Sequence, residues 1–537
     1  MAAIAGTARG VPILQQVLKD EIPKTIPAYL VMPDPNGLIG TFQPGGPTTT
    51  STNGFFSADI TTNGRTCFTC HQPQNGWALS PEEVQAQFLK TAGRSALFQP
   101  IDAADCPTSS GATVGPSHRR KFVAARHQLF TYANFRISMN APNPLGPPDD
   151  TYMTFDGNPD PEWVLESVYD PFDCQLDPEH GLPANLLSVY RRPLPSANVA
   201  FLRQGGDPLK FDIMWDAREE DLGIQFINAT LFHGQTEEVP AGAVVEQGAQ
   251  FQAGLFTGQV KDSVARDLAG YDGSGALGGP KNLWEWRQTQ DPLCATTGPS
   301  GDLMCEGIKV KHFVPERVNV GTELFDTFSV PLGKQPKKQA MHESIARGEA
   351  LFDSNVFTIH FVAGLNDIKG STGPEGEPGT CSTCHSNLNV LNDTAGDPKR
   401  LGIMDNSDLV ADSSSPVTVM PWTEDFPRFA FYCPTGSIPF FSNPVTSPSC
   451  PGSMPGNDAT CDKFITTDPG KGLVTGHCAD LGKMKVPHLR GVPAHRPYFH
   501  GGNAATLLDV VNFYNDRFNI GFTPEEKEDL VNYLNSL

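Results

Sequence analysis

The chain has 537 residues and a formal net charge of −21 at pH 7, and it contains 52 glycines and 48 prolines. A chain of this length can bury a sizeable core over several domains. Its negative charge argues against nucleic acid and anionic membrane surfaces as partners, and no stretch approaches the roughly 20 apolar residues of a membrane span.

The first motif of chemical interest is Cys67-Phe-Thr-Cys-His71, which places two cysteines and a histidine within five residues. A helix is predicted shortly after it. Ser80 can cap this helix, Pro81 suits its first turn, and Glu83 can complete a capping box. We expect the helix to end at about Leu89.

Two long segments, residues 240–310 and 390–480, are rich in glycine, proline, serine and aspartate. This composition predicts loop insertions. A polar, proline-containing stretch, Gly333–Lys338, lies between them, and we place a domain boundary there. The chain is thereby divided into an N-terminal domain of residues 1–335 and a C-terminal domain of residues 336–537.

The second half repeats the pattern of the first. Ser344–Phe352 has apolar residues at helical spacing, and a glycine-rich stretch, residues 370–379, follows it. This stretch leads into Cys381-Ser-Thr-Cys-His385. Each predicted domain therefore carries one CxxCH motif.

The C-terminal region predicts two helices. In the first, one face is formed by Leu507, Val511, Tyr514 and Phe518. The Tyr514 side chain is therefore expected to point inward. The segment Thr523–Glu526 has the pattern of a capping box and predicts the start of the terminal helix.

The chain has twelve cysteines, four of them in the CxxCH motifs. The other eight are Cys106, Cys174, Cys294, Cys305, Cys433, Cys450, Cys461 and Cys478. An even number in such sequence predicts disulfides and an oxidising compartment, so we expect a periplasmic or secreted protein, although residues 1–6 show no signal peptide. Three pairs would close short loops: Cys294–Cys305, Cys433–Cys450 and Cys461–Cys478. The alternative is eight buried thiols, and sequence alone does not give the pairing.

The CxxCH spacing has a chemical logic. Two thiols so placed can each add to a vinyl group of one haem, while the imidazole of the next residue reaches the iron. Two motifs therefore predict two covalently attached haem c groups. A zinc site built from the four cysteines is a weaker alternative, because zinc-binding pairs lie closer in sequence and need no histidine after each. A thiol oxidoreductase motif would require a βαβ unit, which the flanking sequence lacks.

Several further segments accompany the two motifs in a characteristic order. They are Met214–Gly223, Lys485–Val492, Pro497–Gly501 and the Tyr514 helix. With them, the chain from about residue 40 onward resembles the bacterial dihaem cytochrome c peroxidase and MauG superfamily. The resemblance implies a mainly α fold of two cytochrome c-like haem domains, with long loop insertions and few short strands. The two insertions have no clear counterpart in the small peroxidases.

The resemblance also implies roles for individual residues. Cys67, Cys70 and His71 would hold the reactive haem, and Cys381, Cys384 and His385 the electron-transfer haem. Trp215 would lie between them, unless it is an ordinary buried tryptophan. Tyr514 is the leading candidate for the distal ligand of the second haem; it could equally pack against the porphyrin edge. His500, His495 and Met484 compete for the same role.

Two departures from the peroxidase pattern stand out. No histidine occurs between His71 and His118, so the residue that caps the resting haem in the small peroxidases has no counterpart and an open first haem is implied. His233 falls near the place of the family's catalytic glutamate, and an imidazole there suits general acid/base work unless it is only structural. Glu237 is the reserve candidate. The family's calcium ion is left open, because its asparagine is replaced around Pro195.

Three functions are compatible with these features. The favoured one is a peroxidase- or MauG-like oxidoreductase that uses hydrogen peroxide and a small redox protein or an organic molecule as electron donor. The second is a dihaem oxygenase that cleaves an apolar alkene with dioxygen, as in the rubber-cleaving members of the superfamily. The third is an electron carrier with two protein ligands on each iron.

Overall fold

The computed structural model describes residues 22–140, 161–172, 174, 186–202, 213–272, 274–290, 294–296, 303–305, 308–309, 324–360, 362, 365, 376–385, 393–394, 397–398, 400–401, 425–434, 443–446 and 460–537. Among these residues no helix is both long enough and apolar enough to cross a membrane. All residues of the two CxxCH motifs lie within the described ranges.

The α-helices of the described residues are numbered α1 to α12 in chain order. Their bounds are Cys67–Cys70, Pro81–Thr91, Pro100–Ala103, Arg119–Ala124, His127–Tyr132, Leu222–Phe232, Gly242–Ala253, Pro280–Gln290, Pro336–Ser354, Gly472–Thr475, Leu507–Arg517 and Pro524–Leu534. A one-turn 3₁₀ helix, Cys381–Thr383, forms the second CxxCH motif where α1 forms the first.

The strands of the described residues are numbered β1 to β21. Their bounds are Thr25–Ile26, Tyr29–Pro33, Gly37–Phe42, Thr48–Thr49, Phe135–Asn140, Val164–Tyr169, Leu186–Arg191, Phe256–Asp262, Arg266–Asp267, Cys294–Thr296, Leu303–Cys305, Ile308–Lys309, Phe357–Ile359, Glu377–Gly379, Asp393–Thr394, Asp397–Pro398, Arg400–Leu401, Arg428–Pro434, Asn443–Thr446, Thr460–Thr466 and Met484–Lys485. Two antiparallel sheets have four strands each, in the orders β2-β3-β8-β9 and β19-β20-β18-β6. The expected mainly α fold of two cytochrome c-like haem domains, with long loop insertions and few short strands, stays a prediction.

The helix starts that the sequence predicts are confirmed where a polar cap precedes a proline. The Ser80 hydroxyl accepts a hydrogen bond from the Glu83 backbone at 3.2 Å, and α2 begins at the next residue, Pro81. Thr523 and Glu526 form a complete capping box before α12. Each cap satisfies backbone N–H groups that the first turn leaves without helical partners.

The C-terminal half is organised by the contact between α9 and α12. Gly348 of α9 lies directly against the Asp529 backbone, where a Cβ would collide with the carbonyl. The Asp529 carboxylate accepts hydrogen bonds from Ser344 Oγ at 2.6 Å and from Arg347 Nε at 2.7 Å. Close backbone approach and a shared carboxylate therefore fix how these two helices cross.

The second four-stranded sheet joins distant parts of the chain. Strand β6, from the N-terminal half, pairs with β18, and β18 pairs on its other side with β20. The apolar side chains below it include Trp163 and Phe431, whose rings meet at 5.1 Å. The sheet therefore crosses the predicted boundary at residue 335, and the domain division stays a prediction.

The segment 240–310 differs from the loop insertion that its composition predicts. It contains α7, α8 and strands β8 to β12 among its described residues. Val245, Gly248 and Phe251 recur at helical spacing and are buried on one face of α7, and Gly248 lies against the ring of Phe226. Burial of this face outweighs the low helix propensity of glycine.

Two disulfides are present in the described residues, Cys106–Cys174 and Cys433–Cys478. The proposed pairs Cys433–Cys450 and Cys461–Cys478 are therefore wrong, and Cys450 lies outside the described residues. The reason is tertiary: Cys433 and Cys478 share one apolar cluster beneath the second sheet, although 45 positions separate them. The backbone register of β10 and β11 places Cys294 opposite Cys305, which agrees with the predicted pair Cys294–Cys305.

Candidate haem-binding centres

The two CxxCH motifs have the same local geometry. In the first, the Thr66 backbone N–H donates to Thr69 Oγ1 at 3.0 Å. In the second, the Thr380 backbone N–H donates to Thr383 Oγ1 at 2.9 Å. The sequence pattern TCxTCH therefore builds one short helical turn twice, and each turn presents its two cysteines and its histidine together.

His71 is held in the form that suits a proximal iron ligand. Its Nδ1 lies 2.9 Å from the carbonyl oxygen of Trp77, which can only accept a hydrogen bond, so the proton is on Nδ1. Nε2 is left as the ligating atom. Burial lowers the pKa of His71 to about 4, so the imidazole is neutral at physiological pH.

His385 has a similar environment in the second centre. Burial lowers its pKa to about 4, and the Pro487 backbone opposes this shift. The His385 ring lies 6.3 Å from that of Phe352, and the His71 ring lies 6.3 Å from that of Phe55. Both histidines are therefore neutral imidazoles beside a phenylalanine, as metal ligation requires.

The cysteines of the motifs are available for thioether formation. All four are thiols rather than disulfides. Burial raises the pKa of Cys67 and that of Cys381 to about 12. Within the described part of the chain, no three His, Cys, Asp or Glu side chains are grouped so as to hold a metal ion.

The surroundings of the first motif are aromatic. One buried cluster, which Cys67 joins at its edge, contains Phe55, Phe56, Phe68, Trp77 and Phe251. Such a lining favours a large flat apolar ring system and excludes water from it. Together with the neutral histidine and the protonated thiols, it shows that the residues present fit a covalently bound haem.

His233 is the C-terminal cap of helix α6, and its backbone contacts the segment that leads into the first motif. Its carbonyl accepts a hydrogen bond from Asn63 at 2.7 Å, and its Nδ1 lies 2.6 Å from Oδ2 of Asp102. The His233 side chain is 37% exposed, so solvent and small molecules can reach it. Arg65 Nη1 also lies 3.4 Å from the His233 carbonyl, which places His233 next to the segment that leads into Cys67.

The carboxylate behind His233 is kept ionised. Burial by itself raises the pKa of Asp102, but the Arg65 guanidinium and His233 outweigh it and hold this pKa below its usual value. Arg65 Nη1 lies 2.6 Å from Asp102 Oδ2. Neither Asp102 nor Arg65 was singled out from sequence. Glu237, the reserve candidate, lies on the exposed surface.

Trp215 is placed between the N- and C-terminal parts of the chain. Its indole Nε1 donates to the Arg192 carbonyl at 2.9 Å, and its own carbonyl accepts from the Lys485 backbone at 2.7 Å. The Trp215 ring meets the ring of His500 edge-on at 6.0 Å. The half-buried indole therefore contacts both parts through hydrogen bonds and a ring contact.

A buried ionic cluster adjoins Trp215. Arg191 bridges Asp216 and Asp468, with Nη1 2.6 Å from Asp216 Oδ2 and Nε 2.6 Å from Asp468 Oδ2. Burial opposes ionisation, but Arg191 and Arg218 lower the pKa of Asp216 to about 2. Asp216 and Arg218 belong to the segment Met214–Gly223 that carries the resemblance, whereas Asp468 was not singled out from sequence and lies in the predicted insertion 390–480.

The structure places the four candidates for the distal ligand of the second haem in different surroundings. Tyr514 of α11 packs against the apolar cluster that contains Cys384 and Val486. His500 instead adjoins Trp215, with its Nε2 3.7 Å from Asp468 Oδ2. Met484 is buried in β21, and burial lowers the pKa of His495 to about 3. Tyr514 therefore lies near Cys384 of the second motif, and its role as distal ligand stays a prediction.

Part of the chain is similar to known bacterial proteins. It is 37% identical over 91 residues to the cytochrome c peroxidase IdrP1 of Denitromonas iodatirespirans, which covers 14% of this chain and 24% of that protein. It is 38% identical over 77 residues to the cytochrome c551 peroxidase of Nitrosomonas europaea, covering 14% of this chain and 23% of that protein. No model of a protein family matches. The chain thus spans about a quarter of the length of these curated relatives, and over that part it is similar to cytochrome c peroxidases.

Proposed function

We propose that the chain is a dihaem c-type oxidoreductase of the peroxidase or MauG type. One haem would be held by Cys67, Cys70 and His71, the other by the Cys381–His385 motif. When bound, the first haem supplies an iron at which hydrogen peroxide is reduced, and the second supplies electrons. The names of the partial relatives and the paired motifs support this assignment.

The observation that carries the proposal is the His233–Asp102–Arg65 arrangement beside the first motif. Peroxide reduction needs a base that takes a proton from one oxygen and returns it to the leaving oxygen. Asp102 holds the Nδ1 proton of His233, which leaves Nε2 as the accepting atom. Arg65 keeps Asp102 ionised, and the partly exposed imidazole can reach a small oxidant.

Trp215 and Tyr514 have distinct roles in the proposal. Trp215 would lie on the route of electrons between the haems, since it contacts both Arg192 and Lys485. Tyr514 would be the distal ligand of the second haem, since it shares a cluster with Cys384. A phenolate ligand stabilises the oxidised iron, which suits a centre that stores an oxidising equivalent.

The electron donor is proposed from charge. The chain has 60 acidic and 39 basic residues, so a basic redox protein or a neutral organic donor is favoured over an acidic one. We further propose a periplasmic or secreted location, where both the disulfides and covalent haem attachment are expected.

The test is the electron paramagnetic resonance spectrum of the ferric protein before and after one equivalent of hydrogen peroxide. The proposal requires one high-spin haem whose signal disappears on addition of peroxide. In His233→Gln the resting spectrum should be retained and the signal should decay more slowly. Two low-spin signals that peroxide leaves unchanged would contradict the proposal and favour the electron carrier.

An oxygenase that cleaves an apolar alkene is the second candidate, and one observation favours it. Helix α6, which ends at His233, exposes two large apolar side chains, Ile224 and Phe232. An apolar substrate could bind beside the first centre there. Consumption of dioxygen in the presence of a polyisoprene oligomer, without added peroxide, would support this candidate. Turnover that depends on peroxide would support the first.

A further inference from the structure

Arg192 is a buried cation whose side chain binds only backbone carbonyls among the described residues. Its Nη1 donates to the carbonyl of Tyr132 at 2.6 Å. Its Nη2 donates to the carbonyls of Leu79 and His495, at 2.8 and 2.7 Å. The residue is 4% exposed, so these bonds replace nearly all of its hydration.

The three carbonyls come from three separate parts of the chain. Leu79 follows the first CxxCH motif, Tyr132 ends α5, and His495 belongs to the C-terminal half. The planar guanidinium can donate in several directions at once, which a single ammonium group does less well. Arg192 therefore ties the first haem-binding centre to the C-terminal half through one charged group.

The backbone of Arg192 extends this junction to Trp215. Its carbonyl accepts the Trp215 indole hydrogen bond at 2.9 Å, and its N–H donates to the His500 carbonyl at 2.8 Å. His500 in turn contacts the Trp215 ring. The position of the indole thus depends on the same residue that holds the two halves together.

The segment that follows Arg192 also contacts the residue that holds the His71 ring. The Ser196 backbone N–H donates at 2.9 Å to the Trp77 carbonyl, which also accepts from His71 Nδ1. Burial lowers the pKa of Arg192 to about 9, so the guanidinium keeps its charge at neutral pH. A charged group with three carbonyl partners is costly to remove, because each carbonyl would be left buried without its donor.

We propose that Arg192 is a positioning residue for electron transfer between the two haems. It acts as a built-in cation that joins the first haem-binding centre to the segment around His495 and His500 of the C-terminal half, and its carbonyl holds the Trp215 indole there. The inference rests on the proposed function, since it presumes two haems. In this proposal the Arg192 guanidinium connects the two parts of the chain, a role that a bound metal ion could otherwise have.

The test compares Arg192→Gln with Arg126→Gln. Arg126 is a matched control, because it is also buried and, among the residues that the structure describes, its side chain donates to the carbonyls of Phe98, Phe122 and Ala112, all within the N-terminal part. Haem content is measured first by pyridine haemochrome absorbance. The rate of electron transfer between the haems is then measured by flash photolysis of the half-reduced, carbon monoxide-bound protein, with and without a calcium chelator.

We expect both variants to have lower melting temperatures, and only Arg192→Gln to slow transfer between the haems, by about tenfold or more. The wild-type rate should be unchanged by the chelator. Equal rates in the two variants, or a wild-type rate that the chelator abolishes, would overturn the role of Arg192. A haem content below two per chain would instead refute the proposed function, so the two failures are distinguishable.

Discussion

Nδ1 of His233 lies 2.6 Å from Oδ2 of Asp102, although the two residues are 131 positions apart in the chain. Asp102 is buried and ionised, and it fixes the ring orientation and the tautomer of a partly exposed imidazole. Such a pair is typical of an imidazole used in acid/base chemistry and less so of one that only fills space.

Asp102→Asn should lower the rate of peroxide reduction by about tenfold to a hundredfold, because the amide no longer selects the Nδ1–H tautomer of His233. Stopped-flow measurement of the second-order rate with peroxide checks this. Asp105→Asn is the control. Asp105 is also buried, and it accepts from the backbone N–H groups of His127 and Gln128 instead of from His233. A normal rate in Asp102→Asn with correct haem content would show that the pair is structural.

Trp215→Phe should leave the reaction of peroxide with the first haem intact and slow the later arrival of electrons from the second. The phenylalanine keeps the apolar ring but loses the hydrogen bond to the Arg192 carbonyl. Multiple-turnover kinetics with an electron donor, compared with single-turnover kinetics, separate the two steps. Trp163→Phe is the matched control, since Trp163 is buried and donates to the Gly472 carbonyl at 3.0 Å beneath the second sheet. Equal effects of the two substitutions would argue against Trp215 as the route.

Tyr514→Phe should convert the second haem from six-coordinate to five-coordinate if the phenol oxygen is its distal ligand. The change would be read as a new high-spin signal in the resting electron paramagnetic resonance spectrum. The phenylalanine preserves the packing with Phe513 and Phe518, whose rings lie 5.1 and 6.2 Å from that of Tyr514. An unchanged spectrum would mean that Tyr514 is a packing residue and that another ligand must be sought.

Much of this organisation could be predicted from local sequence. The capped starts of α2 and α12 depend on residues within a few positions of one another. The inward face of α11 was predicted in part, since Leu507 and Val511 are buried as expected, whereas Phe513 and Arg517 are buried and Tyr514 is half-buried. The Asp102–His233 and Arg191–Asp468 contacts could not be predicted in this way. They join residues more than a hundred positions apart, and the spacing of residues along the chain does not indicate such contacts.

The disulfide pairing could not be predicted from local sequence either. Short loops between cysteines suggested Cys433–Cys450, whereas Cys433 pairs with Cys478 in the apolar cluster beneath the second sheet. A short loop costs little entropy to close, but the pairing that forms is set by which Cβ atoms the fold brings together. The helix α7 was missed for a related reason: its glycines indicated a loop until the burial of Val245 and Phe251 was known.

Gly348→Ala should destabilise the C-terminal half by roughly 1–3 kcal/mol, because the added methyl group would press on the Asp529 backbone of α12. Thermal unfolding followed by far-ultraviolet circular dichroism checks this. Gly242→Ala at the start of α7 is the control, since a Cβ there meets no atom within 4 Å. If Gly348→Ala unfolds at the wild-type temperature, the helices can move apart and their crossing is not set by this contact.

Glu349 gives a prediction for the pH dependence of stability. Burial raises its pKa from 4.5 to about 8, and hydrogen bonds from the backbone N–H groups of Leu324 and Phe325 only partly offset this. Between about pH 4.5 and pH 8, the Glu349 carboxyl is therefore protonated in the folded state and ionised in the unfolded state. The contribution of Glu349 to the free energy of unfolding is fully present below that window. It falls as pH rises through the window, by at most about 1.4 kcal/mol per pH unit.

Glu349→Gln should flatten this slope, because the neutral amide resembles the protonated acid and does not titrate. The free energy of unfolding of wild type and variant, measured in urea at pH 5, 6.5 and 8, gives the comparison. Glu343→Gln on the same helix is the control, since Glu343 is exposed and its loss should leave the slope unchanged. A wild-type slope that survives in Glu349→Gln would assign the titration to another buried carboxyl on α9, with Asp353 the first to test, since burial raises its pKa to about 7.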